Sequence, residues 1–357
     1  MITDTDVNWS ARADVGQRSF DHFFGTSEPQ LFNNTYPGDA TENVTFNYWW
    51  IAHIIDVRLD AYLRSGEAGW LHAADVAYRN ILTRNGGLFN DYFDDMLWYA
   101  LAILRLFEAT GTSSYLDDAR AIWKHVVQYG WNEEFGASVA WRKQQLHYKN
   151  TPANGPFVIL SCRLSRIDRD PRYLELALGA FDWLTNNLVH EESGFVEDGV
   201  NRENDGRVDT QWRFTYNQGL YVGAAVELSL TTRGENKYLQ RAARTALTAI
   251  TELGSGGLFR DEGDGGDEGL FKGIYYRYVG QLLPLLDKDS PATATLVDFV
   301  RTSTNALWDN CLDDNGYLLA SNDWSQKPSE KVAYSSQLSA IIALELRAQI
   351  EASLLPR

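Results

Sequence analysis

The chain has 357 residues, 44% of them hydrophobic and 22% charged, which is enough apolar material for a large globular core. Its net charge of -16 argues against nucleic acid and anionic membrane as partners, and no apolar run reaches the roughly 18 residues of a membrane span. The opening MITDTDVNWSARADV lacks a basic region followed by an apolar run, so a cytoplasmic location is the default expectation, with secretion if a leader was trimmed away.

In chain order, helical periodicity predicts twelve helices of two alternating kinds. One kind is amphipathic, with a single apolar stripe: 12–24, 68–84, 114–130, 171–189, 235–253 and 291–308. Four of these share a phrase, a turn followed by an aromatic-Leu pair and spaced alanines, with Trp70, Tyr115, Tyr173 and Tyr238 at the aromatic position. The other kind is apolar almost all round, as in helices covered on both sides. These begin near Thr45, Asp94, Asn154, Tyr216, Phe271 and Ser335. Six pairs in 357 residues leave roughly 60 per pair, which fits a closed ring. The expected architecture is all-α, an (α/α)6 toroid of six inner and six outer helices, forming a single catalytic domain over 1–357.

Loops leading into inner helices line one face of such a ring. Here they are rich in polar and aromatic residues: 85–95, 147–155, 194–200, 209–219 and 265–273. The 12 Trp, 18 Tyr and 16 Phe are mostly core by expectation, but aromatic faces also stack on sugar rings. The two cysteines, Cys162 and Cys311, read as reduced buried side chains, and the six histidines show no HExxH spacing. No metal site is expected. The acidic run 261–269 lacks the alternation of a calcium loop and reads as a turn.

The most suggestive feature is YFDDMLWYA, with Asp94 and Asp95 opening an apolar helix between aromatics. An acidic first turn is favoured by the helix dipole and explains one carboxylate readily. Two allow more. If repulsion and aromatic burial separate their pKa values, one can be ionised as a nucleophile while the other holds a proton for a leaving oxygen. A carboxyl separation of about 5 Å would give retention through a glycosyl-enzyme intermediate.

The segment NDYFDDMLWYALAILRLFEATGTSSYLDDA (90–119) resembles the core of glycoside hydrolase family 76, the endo-α-1,6-mannanases of bacteria and fungi. YKNTPANGPFVILSCRL (148–164), GFVEDGV with TYNQGLYVGAAVEL (194–228) and GLFKGIYYRYV (269–279) resemble it in the same order, so about residues 40 to 285 are covered. The resemblance implies an (α/α)6 fold and retaining hydrolysis of α-1,6-mannosidic bonds, with Asp94 as nucleophile, Asp95 as general acid/base and no cofactor. The partner it implies is an α-mannan or manno-oligosaccharide, met by a monomer.

Around the pair, Asp91 either orients sugar hydroxyls or caps its loop, and Trp98 and Tyr99 follow on the inner helix as core or stacking groups. Trp141 is a candidate sugar platform. Asn150, Thr151 and Asn154 suit a turn and helix start, or hydrogen bonding to hydroxyls. Tyr216, Asn217 and Gln218 pose the same choice, and Lys272 reads as electrostatic support or as a surface lysine. Two other classes share these features: a sugar epimerase, which would need histidines for proton transfer, and a glycan-binding relative, which would lack the carboxylates.

Overall fold

The computed structural model describes residues 7–38, 40–233, 236–263, 266–328 and 331–354. Within them lie six helices whose sides are buried almost all round: α2 (Tyr48–Ser65), α4 (Phe93–Thr110), α6 (Thr151–Asp168), α8 (Thr215–Thr231), α10 (Glu268–Leu282) and α12 (Tyr334–Leu354). Six more carry one buried stripe: α1 (Trp9–Phe24), α3 (Ala68–Asn85), α5 (Ser113–Tyr129), α7 (Pro171–Leu188), α9 (Asn236–Leu253) and α11 (Pro291–Cys311). The contrast follows from composition. In α9 only every third or fourth residue is buried (Tyr238, Ala242, Thr245, Ala246, Ala249, Leu253), whereas in α8 every residue from Thr215 to Ser229 is.

The inner helices pack on one another in order, and α12 closes on α2. Each outer helix lies against an inner one: α3 on α2, α5 on α4, α7 on α6, α9 on α8, and α1 and α11 on α12. This is the (α/α)6 ring expected from periodicity. Close approach is built into it. A Cβ at Gly219 of α8 would sit 2.7 Å from the Cα of Tyr275 on α10, so only glycine permits that contact. All six inner helices begin on one face, so their N-termini and the loops before them form a mouth.

The strands are what periodicity did not reveal. The pair β1 (Thr35–Tyr36) and β8 (Val332–Ala333) joins the two ends of the ring. On the mouth, β2 (Trp131–Asn132), β3 (Ser138–Arg142), β4 (Gln145–Asn150) and β5 (Gly199–Val200) make a four-stranded antiparallel sheet. The hairpin of β6 (Gly254–Ser255) and β7 (Leu258–Phe259) follows α9. Half of the expected loop 147–155 is therefore strand, and α6 starts at Thr151, three residues before Asn154, capped by the Asn150 side chain with Pro152 in its first turn.

The hairpin of β3 and β4 is fastened by a buried amine. Lys149 Nζ donates to the carbonyls of Asn132 (2.8 Å), Gly136 (2.9 Å) and Ser138 (2.8 Å). Burial pulls the ammonium down to about 8. Cys162 and Cys311 are free and buried, as expected. Among the described residues, no helix is long and apolar enough to cross a membrane, and no group of three or more His, Cys, Asp or Glu could hold a metal ion. The acidic run 261–269 lies partly outside the described residues.

Candidate active site

Asp94 and Asp95 occupy the first turn of α4, after Tyr92, whose own side chain makes no capping bond. The helix therefore presents unfilled amides and its positive dipole end to the acidic pair. The Asp95 backbone N–H donates to Asp94 Oδ1 (3.0 Å), and Trp141 Nε1 donates to Asp94 Oδ2 (2.9 Å). Asp95 receives one side-chain bond, from Asn90 Nδ2 to Oδ2 (3.0 Å). Both side chains are half-buried.

Their environments separate them. Burial pushes Asp94 up to about 7, while the Asp95 amide and the Trp141 indole stabilise its ionised form. Burial and the charge of Asp94 together drive Asp95 well above the ordinary carboxylate range. Asp94 is thus the first of the pair to ionise, and the charge it gains favours the protonated form of Asp95.

The pair opens into a cavity of about 750 Å3 at the mouth. One wall is aromatic. Trp49 on α2 stacks near Trp98 on α4 (6.2 Å between centroids) and near Phe271 on α10 (6.5 Å). Phe271 in turn lies flat on Tyr216 (3.8 Å, 8°) and close to Phe214 (5.0 Å). Such ring faces suit the apolar faces of a sugar. The remaining wall is polar. Asp198 Oδ1 accepts from Tyr216 Oη (2.6 Å) and Asn217 Nδ2 (3.1 Å), and Oδ2 accepts from Tyr148 Oη (3.0 Å) and Arg202 Nη2 (3.1 Å). Arg202 lies over the rings of Trp212 and Tyr148. At the start of α10, Asp267 Oδ1 accepts from Trp50 Nε1 (2.6 Å) and Trp49 Nε1 (3.0 Å), and its charge raises both members of the pair.

The structure brings Asp94, Asp95, Trp98, Trp141, Asn150 and Tyr216 together on this cavity. Seven other candidates are not among the residues that line it. Asp91 is exposed and is tied through its carbonyl to the Lys143 amide (2.9 Å). Tyr99 is fully buried and donates to the Tyr78 carbonyl, so it belongs to the core. Asn154 is fully buried and spends its amide on the backbone of Val139 and Asn150. Gln218 likewise clamps the backbone of Val196. Asn217 acts only through Asp198. Lys272 is neither at the cavity nor on the surface; its buried ammonium donates to the Asn322 carbonyl. Thr151 is a strut as well, donating to the Glu197 carbonyl (2.7 Å).

Residues that sequence reasoning did not single out complete the site: Asn90, Trp49, Asp198, Arg202, Trp212, Asp267 and Phe271. Asp198 lay within a loop already marked as part of the mouth. Trp49 carried no signal, because an aromatic at the start of an apolar helix looks like core.

A family model described as glycosyl hydrolase family 76 matches residues 9–353. Among curated relatives, the mannan endo-1,6-α-mannosidase DCW1 of Candida albicans is 25% identical over 278 residues, which cover 71% of this chain and 60% of that protein. The chain spans less than two thirds of the length of the curated relatives it matches. Among solved structures, the Lin0763 protein of Listeria innocua is 46% identical, with a TM-score of 0.93 over 98% of this chain and 100% of that one. The GH76A α-1,6-mannanase of Salegentibacter sp. HEL1_6 is 35% identical, with a TM-score of 0.89 over 96% and 99% of the two chains. An inactive variant of that enzyme, with two consecutive aspartates replaced by asparagine, holds α-1,6-mannotriose. The match runs from the first helix of the ring into the last, and the chain belongs to glycosyl hydrolase family 76.

Proposed function

We propose that this protein hydrolyses α-1,6-mannosidic linkages in mannan or manno-oligosaccharides, with retention of anomeric configuration. The observation that carries the reading is the unequal pair. Asp94 is held by an indole N–H and a backbone amide and can ionise near neutrality, while Asp95 beside it keeps its proton. Asp94 attacks the anomeric carbon, and the glycosidic oxygen leaves with the proton of Asp95. A water then enters, gives its proton back to Asp95 and releases the sugar from Asp94. The loss of activity on changing two consecutive aspartates in the Salegentibacter enzyme, and its mannotriose complex, support the same reading. Among the described residues, no histidine lines the cavity, which disfavours an epimerase.

The test is hydrolysis of α-1,6-mannan, with Asp94→Asn and Asp95→Asn beside wild type and the first-formed product followed by NMR. Each variant is expected to lose activity by about a thousandfold or more while staying folded. The first product should be the α-anomer. A β-anomer, or near wild-type turnover by Asp94→Asn, would remove Asp94 as nucleophile.

A further inference from the structure

Helix α8 begins without a cap of its own. Its N-cap residue is Phe214, whose ring lines the cavity and makes no hydrogen bond. The first helical amide, Thr215 N–H, is instead bound by a residue 47 positions further on: Glu262 Oε1 accepts it at 2.6 Å, and Glu262 Oε2 accepts from Thr215 Oγ1 at 2.6 Å. Glu262 is buried, at 8% exposure, in the segment between β7 and α10. It supplies in trans the acceptor that a helix N-terminus needs, and negative charge once ionised, although burial pushes its carboxyl up to about 7. Lys272 of α10 is close enough to act on it electrostatically and is itself anchored to the Asn322 carbonyl.

What this cap holds is the substrate wall. The residue after Thr215 is Tyr216, which donates to Asp198 and lies flat on Phe271, and the next, Asn217, donates to the same Asp198 oxygen. Burying a carboxylate is costly unless its bonds are complete, and here both oxygens are spent on one residue. A capping role alone could be met by Ser or Asp at the N-cap. Position 214 instead carries Phe, whose ring lines the cavity, and the cap comes from another element.

We propose that Glu262 is a positioning residue for substrate binding: by fixing the first turn of α8 it sets Phe214, Tyr216 and the Tyr216–Asp198 bond against the sugar. This rests on the mannosidase reading given above. Glu262→Ala is expected to raise KM for α-1,6-mannotriose by about tenfold with a smaller change in kcat, as for loss of a buried charge-assisted bond. Glu262→Gln should restore most of the KM, since its carbonyl still accepts from the Thr215 amide and its NH2 can donate to the hydroxyl. Thr215→Val, which removes one arm, should raise KM about threefold and carries the test if Glu262→Ala does not fold.

Amide hydrogen exchange of residues 214–218 should accelerate in Glu262→Ala, a readout that needs no substrate. Unchanged exchange there, or lowered thermal stability with KM unchanged in both Glu262→Ala and Thr215→Val, overturns the proposal. Wild-type protein that leaves α-1,6-mannan intact would instead sink the mannosidase reading, and the exchange result would stand apart from it.

Discussion

At the scale of single residues, the division of labour proposed for Asp94 and Asp95 rests on the Asp95 amide and on one indole. Trp141 sits on β3 and reaches across to α4, where its N–H stabilises the ionised form of Asp94 against the cost of burial. Replacing it by Phe keeps a ring beside Tyr92 and Tyr148 but removes the donor. Without that bond the Asp94 carboxylate is less favoured, so its pKa, already about 7, moves up further. The proposed mechanism needs Asp94 ionised, so the acid limb of kcat/KM should shift to higher pH by about one unit, the value of a charge-assisted bond partly replaced by water. Trp141→Phe should therefore lose about tenfold in kcat/KM on the acid side of the limb and recover as pH rises past it. A pH profile lowered equally at all pH values would show that Trp141 serves only as a stacking surface.

At the scale of elements, the helices were legible because burial on one side or on both sides leaves different apolar periods, and those periods survive in sequence. The mouth sheet was not. Strands such as Trp131–Asn132 and Gly199–Val200 are two residues long, too short for alternation to register. The site was legible to the same extent. Asp94 and Asp95 lie in a motif and Trp141 reads from sequence as a candidate sugar platform, whereas the role of Asp198 exists only once Tyr148, Arg202 and Tyr216 converge on it. Polar residues at helix starts were the hardest to sort, because a strut and a sugar ligand look alike until the partner is seen.

Asn154 is the clearest strut. Its side chain accepts from the Val139 amide (2.9 Å) and donates to the Val139 carbonyl (2.8 Å) and the Asn150 carbonyl (2.9 Å), riveting β3 to α6 in a fully buried position. Asn154→Ala should cost about 3 kcal/mol in chemical denaturation, because the Val139 amide and carbonyl are left buried without partners. Lowered stability is the signature of the strut. A variant of unchanged stability but raised KM would return Asn154 to the substrate.

At the scale of the whole molecule, a ring of six helices needs something in its lumen, and the chain fills it in layers. Trp49 and Trp98 belong to the aromatic wall of the cavity. His53, buried and pushed down to about 4 by desolvation, lies against both rings, with Nδ1 3.6 Å from Asp56. Beneath them Arg105 joins Asp56 and Asp60 (2.5 Å each), and Arg277 Nη2 reaches Asp60 at 2.9 Å. Asp60 thus ties α2 to its neighbour α4 and also to α10, which is not its neighbour in the ring. It lies twelve residues along α2 from Tyr48, roughly 18 Å below the mouth at 1.5 Å per residue. The ionic layer therefore links α2, α4 and α10 across the lumen, well below the residues at the mouth.

Asp60 is held down to about 2 despite burial, because two guanidiniums face it. A carboxylate with a depressed pKa stabilises the fold above its unfolded value near 4, and that contribution is lost as pH falls towards about 2. Asp60→Asn keeps the shape but leaves Arg105 and Arg277 facing a neutral amide in the interior. The expected cost at pH 7 is about 3–5 kcal/mol, measured by denaturant unfolding. The gap between wild type and variant should narrow between pH 4 and pH 2, where wild type surrenders the same interaction. A variant as stable as wild type at pH 7 would mean that the layer only fills space. A gap that stays constant down to pH 2 would place the destabilisation in packing and not in charge.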